Sequence, residues 1–276
     1  MLAYGFEFRG LAARPQLSEL PALVWPTIDL VVEDGPAPRR TAVTWTPSAS
    51  VLTSGGDLTI RVERSPLRAT IVAPRPVPPA EIEHPLLSFV AAAGARWMGR
   101  SAFHAASVVL RGRAWLVLGH PESGKSTLAA GLHARGHAVL GDDLSVLEGH
   151  TALRGVRSAD LREPAARALQ AGVAPSTGAA RRRWRTSLGK APLEVPLGGL
   201  ISLGWSDAIS TTALPVGERL ATLAAHEWMM EGPTQPDSFL DLLDVPMVRL
   251  CRPRSWVDFE RVLGGLRAGG VSVSRR

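Results

Sequence analysis

The sequence has little cysteine, lysine or tyrosine, and it has no long apolar run. Because Cys251 is the single cysteine, an internal disulfide is impossible, which fits a reducing compartment. The apolar stretch LLSFVAAAGARWMG is too short to span a bilayer and is interrupted by Arg96. The first residues, MLAYGFEFRG, lack the basic start and apolar run of a signal peptide. These absences predict a soluble cytoplasmic protein with no membrane partner.

The positive charge of the chain comes almost entirely from arginine. A net charge of +6 and a pI of about 10.7 are values that many nucleic-acid-binding proteins share. However, Lys125 and Lys190 are the only lysines, and abundant Ala, Gly and Pro accompany the arginines, as is typical of a GC-rich genome. The arginines are spread along the chain except for RRRWR at 181–185, and no nucleic-acid motif accompanies them. We therefore expect no nucleic-acid partner.

Short β-prone runs dominate the first 80 residues. TIDLVVEDG, TAVTWTPS, DLTIRVERS and LRATIVAP are separated by Gly-Pro, Gly-Gly and Ser-Pro turns. Residues 1–80 are therefore predicted to form a small, mostly antiparallel, β-rich N-terminal subdomain. The proline-rich segment from Ala73 to Pro85 is predicted to be a semi-rigid connector, followed by a second domain over 84–276.

Strands and helices alternate in this second part. AASVVLRG and RAWLVLGH predict a hairpin, STLAAGLHARG predicts a helix that Gly136 ends, and HAVLGDD predicts a strand. Further on, LGGLISLGW and VPMVRLCRP predict strands. VGERLATLAAHEWMM and SWVDFERVLGGLRAG predict helices, the second with Ser255 as its N-cap. The order strand, loop, helix, strand is that of α/β nucleotide-binding domains.

The segment GHPESGKST, residues 119–127, has the form of a phosphate-binding loop, G-x-x-x-x-G-K-[ST]. Its glycines let backbone N–H groups converge on phosphate oxygens, and the next helix presents its N-terminal amides to the same anion. Lys125 would reach the β- and γ-phosphates, and Ser126 would coordinate Mg²⁺. The expected cofactors are therefore ATP and Mg²⁺, and the predicted nucleotide contacts are Gly119, Glu122, Ser123, Gly124, Lys125, Ser126 and Thr127.

Two adjacent carboxylates, Asp142 and Asp143, end the predicted strand HAVLGDD. In P-loop proteins one such acid holds Mg²⁺, and a second can accept a proton from an attacking hydroxyl. Alternatively, one of the two only begins a turn. A histidine such as His104, taken alone, is more often structural than functional. His226 beside Glu227 lacks the second histidine of a zinc motif, so we expect no metal there.

Together these segments resemble the catalytic core of the HPr kinase/phosphorylase family, including the divergent HPr kinase-like proteins of peptide-modification clusters such as those of lasso peptides. The shared features occur in the same order and at similar spacing: His104, Gly124-Lys125-Ser126, Arg135-Gly136-His137 and Asp142-Asp143. The close resemblance covers about residues 100–150, and the later elements agree in outline. It implies an α/β P-loop kinase core of the phosphoenolpyruvate carboxykinase/HPr kinase type after the small β-rich subdomain.

The resemblance implies ATP-dependent transfer of the γ-phosphoryl group to a serine hydroxyl of a peptide or small protein, such as a lasso-type precursor. Carried over by position, Asp142 would be the base and Asp143 would help to hold Mg²⁺, while His104 would lie near the phosphates. Authentic family members form hexamers, so a homo-oligomer is compatible with the resemblance. Two other functions stay open: a P-loop ATPase or regulatory nucleotide-binding protein, and a kinase of a small-molecule hydroxyl.

The chain also departs from the family. The family's Glu-Ile-Arg-Gly-Leu-Gly segment, which supplies a metal-binding glutamate for the phosphorylase reaction, is replaced by LRGVRSADLREP, in which Glu163 lies in a different register. The resemblance therefore does not extend to the reverse reaction or to HPr as substrate. A basic cluster falls where the family has a flexible substrate-binding segment, and a solvated charged loop is the alternative. Its members are Arg181, Arg182, Arg183 and Arg185.

Overall fold

The computed structural model describes residues 1–10, 25–173, 183–228, 236–269 and 271. The protein is a mixed α/β chain with several sheets, and it divides into two compact units, Met1–Arg100 and Ser101–Arg276. Within the described ranges, no helix is both long enough and apolar enough to cross a membrane.

The described part of the first unit forms a seven-stranded sheet. The strand order is β1-β2-β3-β7-β6-β5-β4, in which β3 runs parallel to β2 and β7 and the remaining pairs are antiparallel. The unit is therefore β-rich and mostly antiparallel, as predicted. The strands are β1 (Leu2–Ala3), β2 (Phe6–Arg9), β3 (Thr27–Asp34), β4 (Ala42–Trp45), β5 (Ala49–Ser54), β6 (Leu58–Glu63) and β7 (Arg68–Ala73).

A buried helix, α2 (Leu87–Trp97), extends this unit beyond the predicted boundary at residues 80–84. It follows a short helix α1 (Pro79–Glu81) and the turn 82–86. Gly94 of α2 lies against the ring of Phe6, and the rings of Trp45 and Trp97 have centroids 4.8 Å apart. The apolar helix packs against the sheet, so residues 84–100 belong to the first unit and not to the second.

The second unit contains a nine-stranded sheet and a separate pair of strands among its described residues. The main path is β11-β9-β10-β16-β13-β12-β8, with β18 also paired to β16 and β17 paired to β18. Its strands are β8 (Ser101–Phe103), β9 (Ala106–Leu110), β10 (Arg113–Leu118), β11 (Val139–Gly141), β12 (Ser145–Glu148), β13 (Thr151–Leu153), β14 (Ser158–Leu161), β15 (Trp184–Ser187), β16 (Glu194–Trp205), β17 (Ser210–Ala213) and β18 (Met247–Arg252). Its helices are α3 (Lys125–His133), α4 (Glu163–Leu169), α5 (Val216–His226), α6 (Pro236–Asp241) and α7 (Trp256–Gly269), with a 3₁₀ turn at Leu242–Asp244.

Four strands of this sheet point in the same direction. β9 is antiparallel to both β10 and β11, and β16 is parallel to both β10 and β18. The carboxyl ends of β10, β11, β16 and β18 therefore lie at one edge of the sheet, together with the amino end of β9. In open α/β sheets this is the edge where ligands bind.

Helices cover both faces of the sheet, as the alternation along β10 shows. Val117 packs with α3 and α7, while Leu116 and Leu118 pack with α5 and α6 on the opposite face. All three side chains are fully buried. The predicted hairpin is present, and it turns through Arg111 and Gly112, whose φ angles are 52° and 74°.

Local signals identified the helices better than the short strands. Ser255 caps α7 as predicted, since its Oγ accepts a hydrogen bond from Asp258 N at 3.4 Å. The polar, basic segment VAPSTGAARRRWRTSLGKAP, residues 173–192, is predicted from its composition to be a surface loop, but it contains β15, which pairs with β14. The sequence analysis also missed β17, whose polar residues form an edge strand on β18.

The packing of α3 on α7 depends on Gly131, and this contact can be tested. A Cβ at Gly131 would lie 2.8 Å from the ring of Phe259 and 2.9 Å from Leu263. We expect Gly131→Ala to lower the free energy of unfolding by about 1–3 kcal/mol in denaturant titrations, because the core is already filled. The matched control is Gly264→Ala in α7, where a Cβ meets no atom within 4 Å. It should stabilise the helix by about 0.5–1 kcal/mol, and equal effects of the two variants would contradict the proposed packing.

Candidate phosphate-binding site

The loop between β10 and α3 requires glycine at two positions. Gly119 has φ +154° and Gly124 has φ +93°. A Cβ at Gly119 would lie 2.4 Å from Ser123 Oγ, and one at Gly124 would lie 2.6 Å from Arg252 Nη2. The order strand, glycine loop, helix is as predicted, except that the helix begins at Lys125, one residue earlier than the sequence indicated.

The other predicted loop contacts differ in exposure. Ser123 is buried, and its Oγ has no hydrogen-bond partner among the described residues. Glu122 is exposed at the tip of the loop, with φ +70°, and forms an ion pair with Arg162. Ser126 and Thr127 are half-buried in the first turn of α3. The buried hydroxyl and the N-terminal turn of a helix provide hydrogen-bond donors of the kind that bind anions.

Lys125 lies folded back over its own loop. Only 7% of the residue is exposed, and Nζ donates a hydrogen bond to Gly119 O at 2.6 Å, with His120 O at 3.4 Å. Burial lowers the pKa of Lys125, whereas the negative charges of Asp142 and Asp143 raise it. The loop therefore holds a buried cation within electrostatic range of both aspartates.

The two aspartates follow β11, where Asp142 forms a local turn and Asp143 bonds to the segment before β9. Asp142 O accepts a hydrogen bond from Leu144 N at 2.9 Å, and Asp143 O accepts one from Ala105 N at 3.2 Å. Asp142 is 2% exposed, while the side chain of Asp143 is 21% exposed. Asp143 Oδ1 lies 3.4 Å from Nδ1 of His104. The structure thus brings His104 to Asp143, whereas its predicted place near the phosphates stays a prediction.

The end of α5 and the residues that follow it pack beside His104. His104 N donates a hydrogen bond to His226 O at 2.8 Å, and its ring stacks on Trp228 with centroids 5.4 Å apart. The sequence analysis gave no role to Trp228 or His226. No local pattern marks them, because only the packing of α5 brings them to the site.

His226 is a buried histidine that faces the glycine loop. Its Nδ1 lies 2.7 Å from Thr222 O, and its ring lies 5.6 Å from that of His120. Burial lowers the pKa of His226, the Thr222 carbonyl opposes that shift, and the positive charge of Lys125 lowers the pKa further. His226 therefore resists protonation in the folded protein.

This lowered pKa makes stability depend on pH. As the pH falls below about 6.5, the unfolded chain takes up a proton that folded His226 resists, so stability is lost until the folded pKa is reached. His226→Asn keeps an N–H donor for Thr222 but does not titrate. We expect its free energy of unfolding to fall less between pH 7 and 5, by about 1.4 kcal/mol for each unit of pKa shift. The control is His150→Asn at an exposed position, which should follow the native protein; parallel curves for all three proteins would contradict the interpretation.

Only part of the predicted basic cluster lies within the described residues, because Arg181 and Arg182 fall outside them. Arg183 is half-buried just before β15. Arg185 is in β15, where its Nε and Nη2 donate to Asp160 Oδ1 at 2.8 Å and Oδ2 at 3.0 Å. Such a two-point ion pair joins β14 to β15. Arg185 therefore has a structural partner, which the sequence analysis did not anticipate.

The structural contribution of Arg185 can be separated from that of its neighbour. Because the pair with Asp160 is mostly buried, Arg185→Ala should lower the free energy of unfolding by about 1–2 kcal/mol. Arg183→Ala removes the same charge from the adjacent part of the chain and should change it by less than about 0.5 kcal/mol. Thermal and denaturant unfolding of both variants provide the measurement. A free energy of unfolding for Arg185→Ala equal to that of the native chain would show that the ion pair contributes little to stability.

The side chains at this edge fit a magnesium ion. Magnesium prefers oxygen ligands and usually takes one or two carboxylates together with phosphate oxygens and water. Ser126 supplies a hydroxyl, and Asp143 Oδ2 is buried with no hydrogen-bond partner in the part of the chain that the structure describes. Among the described residues, no group of three or more His, Cys, Asp or Glu side chains is placed to hold a metal ion. A divalent ion would therefore complete its coordination with phosphate and water.

Comparisons with known proteins find similarity to solved structures but not to protein families or curated sequences. No protein-family model matches the chain, and no curated protein sequence matches it. Among solved structures, the HPr(Ser) kinase/phosphatase from Coxiella burnetii aligns at 17% sequence identity, over 60% of this chain and 93% of that chain, with a TM-score of 0.29. A TM-score this low does not establish a shared fold. Membership of the HPr kinase family therefore stays a prediction from the sequence motifs.

Proposed function

We propose that this chain is an ATP-dependent kinase that transfers the γ-phosphoryl group to a serine hydroxyl of a peptide or small protein. The observation that supports this most directly is the position of Lys125. This buried cation lies on a glycine loop at the start of α3 and within electrostatic range of Asp142 and Asp143. A cation, helix amides and paired carboxylates form the set that phosphoryl transfer requires.

Each residue has a distinct role in the proposed reaction. Backbone N–H groups of 119–127 bind the phosphate oxygens, and Lys125 offsets the negative charge that develops during transfer. Asp143 and Ser126 would hold Mg²⁺, which supplies further positive charge at the phosphates. Asp142 accepts the proton of the acceptor hydroxyl, whose oxygen forms the new bond to phosphorus as the bond to the ADP oxygen breaks. His104 contacts Asp143 and orients it.

The roles of the two aspartates could also be exchanged. Asp143 is the more exposed carboxylate and contacts His104, so an acceptor hydroxyl would reach it more readily. Asp142 is more deeply buried. We keep Asp142 as the proposed base because hydrogen bonds of catalytic groups often form only in the substrate complex. Variants of both residues distinguish these assignments.

Two other functions remain as alternatives. A P-loop ATPase or regulatory nucleotide-binding protein needs the loop, Lys125 and one carboxylate. The second carboxylate and its contact with His104 favour transfer to a hydroxyl over hydrolysis. A small-molecule kinase would use the same catalytic residues. The basic cluster at 181–185 favours an acidic macromolecular acceptor.

The proposed function is tested by following the label from γ-labelled ATP with Mg²⁺ and serine-containing peptides. We expect labelled peptide with the native chain and none with Lys125→Ala. Asp142→Asn should slow transfer by roughly 10²- to 10⁴-fold while ATP still binds, the range typical of a general base. Lys190→Ala is the matched control, because Lys190 is the only other lysine and is exposed.

The possible outcomes separate the functions. Free phosphate without labelled peptide, at a rate unchanged in Asp142→Asn, would exclude the assigned base and favour the ATPase. If Asp142→Asn still labels the peptide and Asp143→Asn does not, Asp143 is the base and Asp142 takes the role of magnesium ligand. Label on a small hydroxyl compound and on no peptide would favour the small-molecule kinase.

A further inference from the structure

A buried arginine lies against the glycine loop from a distant part of the chain. Arg252 is the last residue of β18 and is 5% exposed. Its guanidinium packs directly on Gly124, where a Cβ would lie 2.6 Å from Nη2 and 3.8 Å from Cζ. The close approach is possible only because residue 124 is glycine. The strand end thus brings a second cation to the N-terminus of α3.

Aromatic rings, and not acids, surround this arginine. Its Cζ lies 4.3 Å from the ring centroid of Trp205 and 5.1 Å from that of Phe259. Its Nε is buried without a hydrogen-bond partner, and no ion pair joins it to a carboxylate in the described part of the chain. Burial lowers the pKa of Arg252 to about 10, which still leaves it protonated at neutral pH.

A buried guanidinium whose Nε has no acceptor among the described residues is costly unless an anion accompanies it. Arginine has five N–H donors in a planar fork, and burying them without acceptors costs free energy. The stacking on Trp205 orients the fork but accepts none of its hydrogen bonds. The cost would be offset by an anion bound beside Gly124, where the amides of α3 begin.

Phosphate is the anion that best fits this position. The guanidinium fork matches two phosphate oxygens, and α3 presents its amides to the same place. Ser123, whose buried Oγ has no partner within the described ranges, lies next to Gly124 and provides a further donor. A nucleotide's polyphosphate would satisfy all three groups together.

We propose that Arg252 binds phosphate oxygens of the nucleotide at the N-terminus of α3, as a second phosphate-contacting cation beside Lys125. The proposal rests on the nucleotide site of the proposed function and adds a residue that lies outside the sequence motif. In it, Trp205 positions the guanidinium, and Gly124 allows the guanidinium to reach the phosphate site.

The test uses three arginine variants of the full chain. Arg252→Met removes the charge and keeps much of the apolar volume, and Arg252→Lys keeps the charge but loses the fork. The matched control is Arg254→Met, because Arg254 also lies over Trp205, at 5.0 Å, but is exposed. Calorimetric titrations measure the binding of Mg·ATP, inorganic tripolyphosphate and adenosine, and unfolding without ligand measures stability.

We expect Arg252→Met to weaken the binding of Mg·ATP and of tripolyphosphate by a similar factor, roughly 10- to 100-fold, as for loss of a charged hydrogen bond. Adenosine binding should not change. Arg252→Lys should have an intermediate affinity for both polyphosphates, and Arg254→Met should bind as the native chain does. Without ligand, Arg252→Met should be at least as stable as the native chain, because an uncompensated buried charge has been removed.

Other outcomes overturn the proposal in identifiable ways. Lower stability of Arg252→Met with native polyphosphate affinity would show that the arginine only packs on the aromatic rings. Weaker adenosine binding with unchanged tripolyphosphate binding would place Arg252 at the adenine ring of the nucleotide. If Arg252→Met does not fold, native affinity of Arg252→Lys for both polyphosphates contradicts the role of the fork.

The same titrations separate this inference from the proposed function. A native chain that binds neither Mg·ATP nor tripolyphosphate would overturn both. Native binding that Arg252→Met retains in full would overturn only the role of Arg252. Binding that depends on Arg252, in a chain that labels no peptide and no small hydroxyl compound, would leave the inference standing and overturn the kinase.

Discussion

The parallel pairing of β10, β16 and β18 is the constraint on which the rest of the site depends. Backbone pairing places Leu118 opposite Ser202 and Trp205 opposite Arg252, so three strands end at the edge where α3 begins. A slip of one residue would turn every side chain of a strand to the opposite face. The apolar layers on both faces oppose such a slip, because it would expose buried leucines and valines. The packing of the sheet therefore determines which distant residues meet at the loop.

The sequence predicted the parts of the site that adjacent residues encode. The glycines, Lys125 and the acid pair are recognisable because their residue types and spacing carry the chemistry, whereas His104 was singled out only by the family resemblance. Arg252, Trp205 and Trp228 could not be predicted, since nothing around them in the chain marks a ligand site. Their positions follow from strand register and from the packing of α5, which become visible only in three dimensions.

The errors in the predicted organisation have physical causes too. The proline-rich segment signalled a boundary, but the almost wholly apolar helix after it carried no sign of which sheet it would cover. Its burial depends on partners such as Phe6, far away in the sequence. The basic segment before residue 190 was interpreted by its charge alone. Charge does not reveal that Arg185 in β15 forms an ion pair with Asp160 in β14. One member of the cluster therefore has a structural partner.

Because β18 lies near the carboxyl end of the chain, it is synthesised after most of the residues that form the site. Synthesis proceeds from the amino end, so the glycine loop and α3 emerge well before the strand that carries Arg252. β18 pairs with β16, which in turn pairs with β10, and contacts between such distant segments close slowly. A nascent chain that contains the complete motif therefore still lacks one wall of the site. The capacity to hold an anion matures only when the carboxyl-terminal strand and α7 have docked, so completion of the fold and completion of the site coincide.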